Sequence, residues 1–230
     1  KIIHVSEEEQ YLAQLWAGYG GVYPLSVTYH NNRRVRQFIV KRVNPPSSSS
    51  STSHDRKIRS YYIEANFYQE IAPIVHELTN TTALECALPE SYSIVCTADD
   101  NDSNHSFRFL LSDLRYDYPD ATVRLDELRT HTAIRWLSSF HSIFWERTDL
   151  LQRCENNNFL WEYGGYWHLR TRLDELEDID TSSSSSWSSA LKLCATAIDE
   201  RMNAGGGMQF KTLCHGDFKK DNLLFTMDGA

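Results

Sequence analysis

The sequence lacks a long apolar run. No stretch approaches the ~18 residues that a membrane helix needs, so the chain offers no spanning segment. Positive charge is also scarce: Lys and Arg total 23 against 31 Asp and Glu, a net charge of −8. That balance argues against nucleic acid or an anionic membrane surface as the main partner and leaves room only for a local basic patch. A paired cysteine framework is missing too. The five cysteines, Cys86, Cys96, Cys154, Cys194 and Cys214, are odd in number and scattered. They suit buried thiols in a reducing, cytoplasmic setting better than disulfides or a zinc site. No internal repeat and no signal-peptide pattern is visible, although the chain opens on Lys1 rather than Met, which leaves room for an address ahead of it. What is present is core-forming material. At 41% hydrophobic and 12% aromatic over 230 residues, the chain can build one large domain or two lobes sharing a cleft.

The most informative stretch is Leu213-Cys214-His215-Gly216-Asp217-Phe218-Lys219-Lys220-Asp221-Asn222-Leu223-Leu224-Phe225. It reads H-x-D-x-x-x-x-N and runs into an apolar segment. The spacing predicts a strand over 210–214, a short loop carrying one carboxylate, and a second strand over 223–225 led by one carboxamide. Phosphoryl transfer needs such a pair, because its catalysis is mostly positioning and charge stabilisation. Asp217 then faces the attacking hydroxyl and Asn222 a metal ion on the phosphates of ATP. The plain alternative is a polar turn between two strands.

Nearer the N-terminus, Gly18-Tyr19-Gly20-Gly21-Val22-Tyr23 fits two readings. Glycines let backbone N–H groups approach phosphate closely, which makes Gly18, Gly20 and Gly21 candidates for the nucleotide; an ordinary hairpin tip has the same composition. Leu25–His30 and Val35–Val43 are predicted strands around a turn at Asn31-Asn32, with residues 7–16 a short helix or a lead-in to the first strand. Ile39, Lys41 and Val43 share a face under period-two alternation. A lysine among apolar neighbours is costly unless it meets an anion, so Lys41 is either a ligand for the α/β-phosphates or an edge lysine that blunts aggregation. A helix over 58–78, split near Ile71 by Pro73, carries Glu64 beside its apolar stripe. Glu64 either pairs with Lys41 or is one more solvated glutamate, like Glu70 and Glu77.

Tyr92–Ala98 and Phe107–Leu111 form a predicted hairpin. The connector Leu111-Ser112-Asp113 follows, a backbone suited to reading an adenine edge. Beyond it the period becomes helical: Ala133, Trp136, Leu137, Phe140, Ile143 and Phe144 share a face, with His141 at its border. Trp187, Leu191, Cys194, Ile198 and Met202 fall in the same helical register over 186–202. Two serine-rich runs, at 45–53 and 181–186, read as loops. The aromatic and acidic stretch 155–180 reads better as packed rings and a solvated acidic helix than as a wall for a cationic acceptor.

Taken together, Phe38-Ile39-Val40-Lys41, Glu64 through Pro73, Ser112-Asp113-Leu114-Arg115, Leu137 with Phe140-His141, and His215 through Asn222 resemble the aminoglycoside phosphotransferase and choline kinase family. Within it they look most like the ecdysteroid-kinase-like branch. The resemblance implies an α+β, two-lobed, protein-kinase-like fold. A small antiparallel sheet with one helix would form a nucleotide-binding lobe over 1–111, and a mostly helical lobe with the catalytic loop would span 112–230. It also implies ATP and Mg2+, and a small-molecule hydroxyl as acceptor of the γ-phosphate. Lys41 would bind phosphate, Glu64 would orient it, Asp217 would be the base, Asn222 a metal ligand, and His215 a brace for the loop. Glycine at 216, where protein kinases usually carry arginine, favours a small-molecule acceptor.

The family's second metal-binding aspartate, on a strand after the catalytic loop, has no counterpart before Ala230. The expectation is therefore a truncated chain. The alternative it leaves open is a kinase-fold scaffold or nucleotide-binding protein without catalysis.

Overall fold

The computed structural model describes residues 2–7, 11–15, 18–30, 34–46, 52–99, 104–121, 124–161, 168–181, 186–202 and 211–229. The chain divides into two compact units, 1–136 with 219–230 and 137–218.

The first unit is built on an antiparallel sheet. Its strands are β1 (Ile2–Glu7), β2 (Ala13–Gln14), β3 (Gly20–Tyr29), β4 (Val35–Val43), β5 (Ser91–Asp99) and β6 (Asn104–Ser112). They lie in the order β1-β3-β4-β6-β5, with β2 also on β3. The predicted hairpins are present: β3 pairs with β4, and β5 with β6. The turn residues Asn31 and Asn32 lie outside the described residues, as do 100–103. β1 was not anticipated, and the described part of 7–16 is extended rather than helical, because Ala13 and Gln14 find partners in Val22 and Gly21.

Alternation sets the two faces of this sheet. Val43, Phe107, Phe109 and Leu111 are buried on one face with Tyr19, Ile58 and Ala65. The last two come from α1 (Thr52–Asn66), which lies over that face. Lys41, two residues before Val43, shares it. Opposite, Arg42 and Arg108 are direct cross-strand partners and both are exposed. Truncating a fully buried phenylalanine such as Phe109 costs about 3–5 kcal/mol.

The predicted split of the long helix is real. Pro73 has no N–H to donate, and its ring would crowd the carbonyl four residues back. A π-helical turn at Phe67–Ile71 absorbs this, with the Ala72 N–H donating to the Phe67 carbonyl, and α2 (Ala72–Thr81) follows. The helix α3 (Glu127–Phe144) gives its first part to one unit and the rest to the other. As its period predicts, Ala133, Phe140, Ile143 and Phe144 are buried.

The second unit adds α4 (Thr148–Asn156), α5 (Leu173–Glu177) and α6 (Ser186–Arg201). The expected helix over 186–202 is present as α6, but its apolar face is exposed: Trp187 is 78%, Leu191 42% and Ile198 53% accessible. Helical periodicity fixes the helix but not a covering layer, and the described residues supply none. The aromatic residues Tyr163, Tyr166 and Trp167 lie outside the described residues, and so does Gly205–Gly207.

Among the described residues, the two strands expected around the H-x-D motif do not form. Residues 211–214 have no regular structure, and 223–225 contribute a single antiparallel bridge, Phe225 to Asp120. A strand needs a partner of its own length, and Asp120 offers one residue. Residues 219–229 are fixed to the rest of the first unit by that bridge and by the Thr132 hydroxyl, which donates to the Gly229 carbonyl at 3.1 Å.

Candidate active site

The centre of the first unit's site is an ion pair. Strand β4 aims Lys41 at α1, and the Lys41 Nζ donates to both carboxylate oxygens of Glu64, at 2.7 and 2.6 Å. The pair is largely enclosed, with 17% of the lysine and 29% of the glutamate side chain accessible. Of the two readings open for Glu64, pairing with Lys41 is the one the geometry shows. Two rings flank the ammonium: Tyr61 at 5.4 Å and Phe109 at 5.6 Å from centroid to Nζ. Such contacts are attractive by about 0.5–2 kcal/mol each. Burial, reinforced by Glu64 and then Tyr19, pushes the Tyr61 hydroxyl up to about 12, so it stays neutral.

Sequence reasoning missed both rings. The signal was there: Tyr61 is one turn before Glu64 on the same helix, and Phe109 is the direct cross-strand partner of Lys41. Period-two alternation therefore forces Phe109 and Lys41 onto one face.

The glycine stretch forms the turn between β2 and β3 and the start of β3. Gly18 has φ 70° and Gly20 φ 152°. A Cβ on Gly20 would sit 2.0 Å from the Arg42 carbonyl oxygen, so only glycine allows β3 to lie this close to β4 beside Lys41. Gly21 pairs with Arg42 in the same ladder. Within the sheet this stretch is a hairpin tip.

Leu111 and Ser112 end β6 and pair with Ile39 and Phe38. The Ser112 N–H donates to the Glu90 carbonyl at 2.9 Å, and the Ser112 hydroxyl accepts from the Glu90 N–H at 2.9 Å. The side chain of Asp113 turns to Arg115, accepting from its backbone N–H at 3.0 Å and from its guanidinium at 2.9 and 2.6 Å. Burial alone would raise the Asp113 carboxyl, but the three Arg115 contributions outweigh it and hold it below the usual range. Asp113 is thus a helix cap, and any recognition at this connector falls to the backbone.

The second unit carries His215 and Asp217. Gly216 between them has φ 80°, a backbone that an L side chain adopts only with strain. The Asp217 N–H donates to the His215 Nδ1 at 3.3 Å. The imidazole packs edge-on against Phe218 and Phe140, at 5.5 and 6.5 Å between centroids. That desolvation lowers the His215 pKa, partly opposed by Asp217 and assisted by His141. The Thr212 hydroxyl donates to the His141 carbonyl at 2.6 Å, tying the approach to this loop to α3. Asp217 itself is exposed.

Asn222 belongs to the first unit, in a single 3₁₀ turn over Lys220–Asn222. Among the described residues no three His, Cys, Asp or Glu side chains cluster into a metal cage. Mg2+ does not need one: it keeps several waters and takes one or two protein oxygens together with substrate phosphates. An exposed carboxamide oxygen is a donor of that kind, so the residue present fits the ion.

These features can be set against known families. The ecdysteroid kinase-like family model matches residues 19–230, nearly the whole chain. The chain belongs to the ecdysteroid kinase-like family. No curated protein and no solved structure matches it. For a member of the ecdysteroid kinase-like family, the sheet-and-helix first unit is that of an α+β kinase-like fold. Membership implies kinase-like phosphotransferase chemistry and ATP use. No helix among the described residues is long and apolar enough to cross a membrane.

Proposed function

We propose that this protein transfers the γ-phosphate of ATP to a hydroxyl group of a small molecule. Nucleotide binding belongs to 1–111 and the catalytic loop to 112–230. The observation that carries the reading is the enclosed Lys41–Glu64 pair. An ammonium held by two carboxylate oxygens, with aromatic rings on its flanks, is poised for a polyanion and is expensive to maintain for stability alone. Lys41 holds the α/β-phosphates, and Glu64 fixes its direction. The hairpin backbone around Gly18, Gly20 and Gly21 lies along the phosphates, and the backbone from Leu111 through Ser112 to Asp113 takes the adenine edge.

Asp217 accepts the proton of the acceptor hydroxyl as its oxygen attacks phosphorus. The His215 Nδ1, accepting from the Asp217 N–H, braces the loop in the turn that Gly216 permits. Asn222 would hold Mg2+, which when bound supplies charge neutralisation on the β- and γ-phosphates. Gly216 favours small acceptors over protein ones.

The test is ATP consumption by the full chain with Mg2+ across a panel of steroid, sugar, amino-alcohol and aminoglycoside acceptors. Acceptor-dependent ADP release that Asp217→Asn removes supports the assignment. Turnover undiminished in that variant refutes the base, and no turnover with any acceptor, together with no ATP binding, refutes the reading.

A further inference from the structure

The glycine hairpin is not a free flap. Tyr19, the residue between Gly18 and Gly20, turns inward and is only 7% exposed. Its hydroxyl shares a 2.8 Å hydrogen bond with the Nδ1 of His54, in the first turns of α1. His54 is itself 7% exposed and is the one buried polar or charged residue among the described residues. The rings meet at 5.8 Å, and one turn further along α1 the Lys57 ammonium lies 5.4 Å from the Tyr19 ring centroid. The backbone is fastened as well. The Asn44 N–H donates to the Tyr19 carbonyl at 2.7 Å, the Leu15 N–H to the Gly20 carbonyl at 2.9 Å, and the Gly18 N–H to the Leu15 carbonyl at 3.1 Å.

An interior histidine on a small helix–sheet interface has a cost that packing alone does not explain. A leucine would fill the same space without a polar group to satisfy. The bond joins two segments that the nucleotide reading uses for different jobs. His54 lies ten residues before Glu64 on one helix, about 15 Å along its axis, with Ile58 and Ala65 on the same buried face. Tyr19 lies between the two glycines that open the hairpin.

We infer that Tyr19 and His54 are positioning residues that lock the glycine hairpin to the helix carrying Glu64. The hairpin backbone and the Lys41 ammonium then meet the triphosphate in a fixed register. This rests on the nucleotide-binding role proposed above. Fixed donors bind phosphate better than mobile ones because the ordering cost falls before the ligand arrives.

The experiment uses the full chain with Tyr19→Phe, His54→Ala, the double variant, and His54→Gln, which keeps a side-chain acceptor and donor. Titration with ATP and, separately, with adenosine is combined with amide hydrogen exchange over Gly18–Val22. Tyr19→Phe should weaken ATP about twofold to tenfold, the range for one hydrogen bond, leave adenosine unchanged, and raise exchange in the hairpin alone. The double variant should be no worse than His54→Ala, and His54→Gln should recover part of the loss.

Equal weakening of ATP and adenosine, with exchange raised throughout the first unit, would show a merely structural pair and overturn the inference. Unchanged hairpin exchange in Tyr19→Phe would overturn it too. Wild-type protein that binds neither ligand would instead sink the nucleotide reading on which it rests, and hairpin exchange would still report whether the link itself exists.

Discussion

Two regions carry the candidate chemistry, and they are built in opposite ways. Around Lys41 every neighbour is fixed by another: a strand partner beneath, a carboxylate ahead, a ring on each flank. Around Asp217 the chain is exposed, irregular and held by a histidine contact and a positive-φ glycine. The contrast separates two demands. A group that receives a polyanion gains from being assembled beforehand, since its ordering cost is then met in folding. A group that must take a proton from a varied hydroxyl needs room. Substitutions near Lys41 should therefore move stability and ATP affinity together, and substitutions near Asp217 should move turnover alone.

The sharpest test of that contrast is Asp217→Asn. It should lower kcat about a thousandfold, within the range for loss of a general base, while ATP affinity and Tm stay at wild-type values; a fall of several degrees in Tm would break the comparison. Next is Phe109→Ala, expected to cost about 3–5 kcal/mol in chemical denaturation and to raise the KM for ATP as the ammonium loses a flank. Normal ATP affinity in the folded variant would detach the ring from the pair. Glu64→Gln keeps the shape and removes the charge. Losing a partly exposed pair should raise the KM for ATP about tenfold, read by initial rates, with a smaller effect on kcat.

The smallest expected effect is in pH. Partial desolvation by neighbouring side chains lowers the pKa of both His141 and His215, so the folded chain favours their neutral forms. The stability linked to them is complete above the unfolded value of about 6.5. As pH falls below that, the unfolded chain takes up protons first, and stability declines until the folded pKa is passed. Denaturation midpoints should therefore decrease from pH 7 to pH 5, and less so in His215→Asn. An increase on acidification would contradict the sign.

Much of the first unit was legible in the sequence because its signals are local. Alternation put Lys41 on the face of Val43, and fourfold spacing put Glu64 beside the apolar stripe of α1. Pro73 marked the π turn within two residues of where it ends. What stayed hidden depends on distant partners. The Tyr19–His54 bond spans 35 residues, and nothing at either end announces the other; the hint was a tyrosine wedged between glycines and a histidine in step with Ile58 and Ala65. The α6 face shows the reverse limit. Its apolar period is as clean as that of α1, yet a period says which side of a helix is greasy and not what lies against it. The same holds for 223–225, apolar enough for a strand but offered a single bridging residue.

The two short returns, Phe225 to Asp120 and Gly229 to Thr132, have a kinetic corollary. The ribosome must deliver all of 137–218 before either can close, so the last stitches of the first unit wait on the translation of the second. A nascent chain arrested near residue 180 should hold its sheet and still be easily cut between Asp113 and Glu127. Release of the remaining residues should then close that seam, which pulse proteolysis on stalled ribosomes can follow directly.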